Sequence, residues 1–168
     1  MTDADWEQRL AHAWASGDGL EDDELVALIE TLASELPEGS AVASFERAGS
    51  FDSTGRSDLA VPLYREALER GLSGERRRRA VIQLASSLRN LGHADESVAL
   101  LEAELDAGSD HLDDAVRAFL ALALADTGRE REAAAHALTA LAPHLPRYQR
   151  SLASYAQLLA RTDDDGRV

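Results

Sequence analysis

Arg76, Arg77, Arg78 and Arg79 form the densest cationic run in the 168-residue chain. A guanidinium is planar, permanently charged and able to hold a carboxylate at two points, so the chemistry such a run offers is anion recognition. Successive helical residues turn by about 100°, so four neighbours cannot share a face. Val81, Leu84, Ala85 and Leu88 define the buried side of this segment, and the opposite side then carries Arg76, Arg79, Gln83, Ser86, Ser87 and Asn90. Every residue in that row can hydrogen-bond. Two readings stay open. The row contacts a partner's carboxylate, or it is a solvated face whose arginines pair with the chain's own acids, Glu46 and Asp52 among them, for about 0 to 1 kcal/mol per exposed pair. Cations at a helix N-terminus oppose the helix dipole, so the run calls for a reason.

Catalytic and metal chemistry find little footing. His12, His93, His111, His136 and His144 never pair at i, i+4, and no HExxH spacing occurs. Glu132 stands one turn before His136, an acid and imidazole pair of a kind common on exposed helices. The chain has no phosphate-binding loop, no GxGxxG after a strand and no GxSxG elbow. Gly17-Asp18-Gly19 reads as a turn, and Asp22, Asp23 and Glu24 as an acidic helix start rather than a calcium loop. Without cysteine, thiolate nucleophiles, disulfides and Cys-based zinc sites are excluded together. The expectation is a non-enzymatic protein with no metal and no cofactor; an anionic-metabolite sensor or enzyme built on the arginine row is the alternative from a different class.

The elements that position these residues follow a period. Gly19, Gly55, Gly92 and Gly128 recur at intervals of 36, 37 and 36 residues, each between two helical apolar patterns. Around Gly55, Ala48 and Phe51 precede the turn and Ala60, Tyr64 and Ala67 follow it. Around Gly92 the set is Leu84, Ala85 and Leu88, then Ser97, Leu101 and Leu105. Around Gly128 it is Leu120, Ala121 and Leu124, then Ala133, Ala137 and Ala140. Small residues let two helices approach while larger ones fill the gap between layers. Ser57, Ser73 and Ser109 stand where N-caps are wanted, Pro37 and Pro146 stop the helices before them, and Pro62 lies just inside its helix. Arg147 to Arg161 reads as a last amphipathic helix, and residues 163–168 as a disordered tail.

At these residues the chain resembles the tetratricopeptide repeat family, whose repeat of about 34 residues is a helix-turn-helix with small residues at fixed positions. The resemblance implies an all-α fold: a right-handed α-solenoid of stacked antiparallel helix pairs in one domain over residues 1–162. Repeats would cover about 40–72, 75–108 and 111–143, preceded by a degenerate hairpin at 4–36 and closed by a capping helix at 147–161. It also implies that the exposed side of each repeat's first helix lines a concave groove that binds a peptide or partner protein. On that basis Arg76, Arg79, Gln83, Ser86 and Asn90, with Glu46 nearby, would clamp the ligand, and Phe45, Phe119 and Leu122 would seat its apolar side chains. The subclass that grips carboxylates with Lys and Asn is not implied, since the chain has no Lys and Asn90 is its only Asn.

The segment from Asp113 to Asp126 is apolar nearly all round, with Arg117 the one charge between its ends. Burial beneath the C-terminal helix is the expectation, and a hydrophobic seat for a peptide or a two-fold homodimer are the alternatives. Composition bounds the rest. Hydrophobic residues make up 45% of the chain but aromatics only 5%, which favours close-packed helices over strands. The net charge of −14 opposes nucleic acid and anionic lipid as partners. All 17 basic residues are Arg, which together with the abundant Ala fits a GC-rich bacterial origin. No stretch approaches a membrane span and the start lacks a signal-peptide pattern, so the expected location is cytoplasmic.

Overall fold

The helix turns explain three of the four periodic glycines, Gly55, Gly92 and Gly128, while Gly19 lies in a 3₁₀ turn. In a computed structural model, which describes residues 3–161, the first helix of each repeat ends in the same hydrogen-bonded hook. At Gly55 the backbone φ is +74°, a left-handed conformation that costs a residue with a Cβ but not glycine. The Gly55 N–H donates to the Asp52 carbonyl at 3.0 Å and the Arg56 N–H to the Phe51 carbonyl at 2.8 Å, which satisfies two carbonyls left over at the helix end. The pattern repeats at Gly92, where the His93 N–H reaches Leu88, and at Gly128, where the Arg129 N–H reaches Leu124. Arg56, His93 and Arg129 then open the second helix with closely similar backbone angles.

Among the described residues there are nine α-helices and no strand: α1 (Asp3–Ser16), α2 (Asp22–Ala33), α3 (Ala41–Ser53), α4 (Ser57–Glu69), α5 (Gly74–Asn90), α6 (Ala94–Ala107), α7 (Asp113–Asp126), α8 (Glu130–Leu141) and α9 (Gln149–Arg161). The fold is the all-α helical repeat. Short 3₁₀ turns follow α1 at 17–19 and α8 at 142–144. The expected tail, 163–168, lies outside the described residues.

The caps differ in part from expectation. Ser40 does cap α3, its hydroxyl accepting from the Ala43 N–H at 3.3 Å, and Glu21 with Glu24 forms a reciprocal capping box on α2. Ser57, however, is the buried first residue of α4 and makes no cap, because the hook at Gly55 already places Arg56 at the helix entrance. Ser109 sits before the entrance of α7 and donates to Asp113 instead, while the Asp110 carboxylate accepts from the Leu112 N–H. Pro62 is inside α4, as its position implied.

The chain divides into two compact units, residues 1–87 and 88–168. In the first, α1 and α2 pack together around Trp6, Leu10, Ala13, Leu25, Ile29 and Leu32, α2 packs on α3, and α3 packs on α4. Ala48, Ala60, Tyr64 and Ala67 have no exposed surface, which matches the inward set read around Gly55. In the second unit α6 packs on α7, α7 on α8, and α8 on α9. Leu101, Val116, Leu120 and Leu124 are wholly buried there. Ala137, expected inside, is exposed. Ala135 on the opposite side of α8 is buried instead, because α8 has neighbours on two flanks, α7 and α9.

Candidate functional site

The arginine run opens α5, and direction sorts it as the periodicity implies. Arg76 is half-buried, Arg79 is exposed and Gln83 is half-buried on one side, while Ala80, Leu84 and Ala85 are buried on the other. Arg78 is nearly fully buried as well.

Arg76 is held by the first unit's own acids. Its guanidinium donates to both carboxylate oxygens of Glu7 on α1, at 2.9 and 2.6 Å, and through Nε to Glu46 on α3 at 3.0 Å. The second Glu46 oxygen accepts from the Trp14 indole N–H at 2.9 Å. Glu46 is only 4% exposed, and a cation and an indole replace the water its carboxylate loses. Glu7, and after it Glu46, keep the Arg76 guanidinium charged against the cost of burial. The Trp14 ring fits because the facing residue on α3 is Gly49: a Cβ there would stand 3.3 Å from the ring.

Asp52, the other acid considered for the arginines, pairs elsewhere. Its carboxylate accepts from the Ser87 hydroxyl at 2.6 Å and from the Tyr64 hydroxyl at 3.4 Å. Burial pushes the Asp52 carboxyl above its ordinary range, with the two hydroxyls opposing the shift. Tyr64 is raised by burial first and then by the Asp52 charge, so it stays a hydrogen-bond donor at all ordinary pH.

Arg79 has a different environment. Its Cζ lies 5.5 Å from the centre of the Phe45 ring, which itself tilts against Tyr64 at 6.2 Å. Among the described residues Arg79 has no carboxylate partner. Phe45 is 2% exposed, so it is not the open apolar seat expected; its ring is consumed between Tyr64 below and the Arg79 guanidinium above. Glu46, expected on the groove, is buried in the same way by Arg76 and Trp14. Beside Arg79 is a cleft of about 540 Å³ at the N-terminal ends of α3 and α5, lined by Ser40, Val42, Leu72, Ser73, the acid Glu75, Arg76 and Arg79. Gln83, one turn further along α5, has its side-chain oxygen buried without a hydrogen-bond donor among the described residues. Ser86 is half-buried.

In the second unit Asn90 is exposed, Phe119 is half-buried and Leu122 is 47% exposed. The burial of Leu122 by the C-terminal helix is not what forms: α9 lies against α8 and the 142–144 turn. His136 is kept toward its neutral form, first by burial and then by Arg117, while Arg129 holds the Glu132 carboxyl below its usual range. Among the described residues no group of acids and histidines is arranged to hold a metal, and no helix is long and apolar enough to cross a membrane.

Nothing local in the sequence marks Glu7 and Trp14 as members of this cluster. Gly49 was the available signal, since a glycine inside a helix costs about 1 kcal/mol and implies a close neighbour.

No curated protein matches the sequence. Two solved structures of MamA resemble the fold. The one from MSR-1 is 20% identical with a TM-score of 0.60, over 96% of this chain and 82% of that one. The one from AMB-1 is 21% identical with a TM-score of 0.59, over 91% and 81%. The family described as tetratrico peptide repeat matches residues 41–159, and with the hooked glycine turns and the buried small-residue set already in place, the chain belongs to the tetratricopeptide repeat family of protein–protein interaction scaffolds.

Proposed function

We propose that this scaffold binds an extended peptide or a partner's tail along the first turns of α5, and that Arg79 takes a carboxylate of that ligand. The observation that carries the reading is the contrast between two arginines one turn apart. Arg76 is saturated by Glu7 and Glu46, whereas Arg79 is exposed, stacked on Phe45 and without a carboxylate among the described residues. The Phe45 ring, 5.5 Å from the Arg79 Cζ, gives the guanidinium a cation–π contact that favours its place on α5 before a ligand binds. The adjoining cleft supplies the Ser40 and Ser73 hydroxyls. In a chain of net charge −14 an unneutralised, preorganised cation selects for acid locally while the remaining surface limits indiscriminate binding.

The test is an array of peptides, each in free-carboxylate and C-terminally amidated form, probed with the native protein and with Arg79→Glu. The reading expects peptides that bind only with the free carboxylate and are lost on Arg79→Glu. Binding that ignores both the amide and the substitution would contradict it.

A further inference from the structure

The first unit contains a polar cluster that helix packing alone does not call for. Asp52 near the end of α3 is half-buried, while Tyr64 on α4 and Ser87 near the end of α5 have no exposed surface. A carboxylate taken out of water is costly unless its partners replace that water, and a hydroxyl replaces it less well than a cation. Among the described residues the Asp52 side chain is bonded by two hydroxyls, Ser87 at 2.6 Å and Tyr64 at 3.4 Å, and by no cation. The net rise of its pKa shows that the two bonds only partly offset the burial. A phenylalanine at position 64 would keep the ring and need no acid beside it. What the hydroxyl adds is direction, because a buried polar bond selects one arrangement of the groups it joins where apolar contact tolerates several.

The ring so held is the one beneath the Arg79 surface. Tyr64 is inclined at 51° to Phe45 with the ring centres 6.2 Å apart, and the Phe45 ring centre is 5.5 Å from the Arg79 Cζ. Phe45 is 2% exposed, so its neighbours inside the unit, and not solvent, set its place. Electrostatics joins the same groups. After burial, the charges of Asp52 and Glu46 raise the Tyr64 pKa and the charge of Arg79 opposes them, so the hydroxyl stands in the field of the acids and of the arginine together.

We infer that Tyr64 is the positioning residue of the Arg79 surface: Asp52, itself bonded by Ser87, holds the Tyr64 ring, that ring sets the place of Phe45, and Phe45 sets the place of the guanidinium. This role rests on the reading of Arg79 as the cation that meets a ligand's carboxylate. Tyr64 itself touches no ligand, since it is buried and acts through Phe45. A fixed Phe45 narrows the positions open to the guanidinium before binding, which spares part of the side-chain entropy that binding would otherwise cost.

The experiment reads, by NMR of the whole ligand-free chain, the ring-current displacement of the Arg79 side-chain protons, and then follows the Arg79 Nε–Hε signal through a titration with acetate. Tyr64→Phe removes one oxygen and keeps both rings. With helical content retained by circular dichroism, it should cut the displacement to about half or less and raise the acetate dissociation constant about threefold or more. Asp52→Ala should give the same loss, and adding Tyr64→Phe to it should take away nothing further. Asp52→Asn should keep the native displacement, because its amide oxygen still accepts from the Tyr64 hydroxyl and its amide nitrogen can donate to Ser87. The comparison of Asp52→Asn with Asp52→Ala carries the test if Tyr64→Phe does not fold. A folded Tyr64→Phe chain with the native displacement, effects of Tyr64→Phe and Asp52→Ala that simply add, or equal losses in Asp52→Asn and Asp52→Ala would each overturn the inference. The displacement is measured without ligand, so a native Arg79 that acetate leaves unmoved would refute the binding role of Arg79 and is told apart from failure of the positioning role.

Discussion

Replacing Glu46 with alanine should destabilise the first unit far more than replacing Glu7, although both bind the same arginine. Glu46→Ala removes the bond from Arg76 Nε at 3.0 Å and the bond from the Trp14 indole at 2.9 Å. Bonds to a charged group are worth about 1.5 to 3 kcal/mol each. Water can reach Trp14 and Arg76 in part, so the lower figure applies to both, and the loss comes to about 3 kcal/mol. Glu7 is 46% exposed, and its removal leaves Arg76 paired with Glu46, so Glu7→Ala should cost about 1 kcal/mol or less. Both tryptophans, Trp6 and Trp14, belong to residues 1–87, so fluorescence during urea unfolding reports on that unit. The predicted result is a midpoint shift roughly three times larger for Glu46→Ala than for Glu7→Ala, with unchanged slopes. Equal shifts, or a Glu46→Ala loss below about 1 kcal/mol, would refute the idea that the buried carboxylate holds α1, α3 and α5 together.

Three further outcomes follow from single residues. Asp52 is raised above its ordinary 3.8 by burial, so the folded chain binds its proton more tightly than the unfolded chain, and that contribution to stability fades as pH rises from about 3.8 through the folded-state value. Asp52→Asn should remove this fall, which matched urea titrations from pH 3.5 to 7 would detect. Gly92→Ala, at a φ of +84° with open space around the missing Cβ, should cost about 1 kcal/mol from backbone strain alone, measured as a thermal midpoint lowered by a few degrees. Leu122→Asp, at a side chain 47% exposed, should change stability by no more than about 0.5 kcal/mol, and unfolding of the second unit by this substitution would contradict the exposure of α7.

What the sequence disclosed and what it withheld divide along a physical line. Gly55, Gly92 and Gly128 were legible because a left-handed helix stop is a local demand that glycine meets almost alone. Ala60, Tyr64, Ala67 and Leu101 were legible because helical period places them on one side. The partition of the arginines along α5 followed from the same geometry. Ser57 and Ser109 misled because a serine near a helix start signals a cap only when the preceding turn leaves that place vacant. Glu7 lies 69 residues before Arg76, and nothing local in either segment announces their pairing. Phe45 looked like a groove aromatic and is a buried one, since helical period gives direction but not what stands opposite. For the same reason the course of α9, against α8 with Leu122 left exposed, depended on packing that no window of sequence contains.

In the proposed mode of binding Arg79 is the cation available to a partner while Arg76 is occupied by Glu7 and Glu46. Arginine side-chain NMR tests it most directly, by titrating the native protein with acetate and with a carboxylate-bearing peptide from the array and following each Nε–Hε signal. The Arg79 signal should shift saturably while that of Arg76, locked between Glu7 and Glu46, hardly moves. A saturable shift at Arg76 with Arg79 unmoved would contradict it.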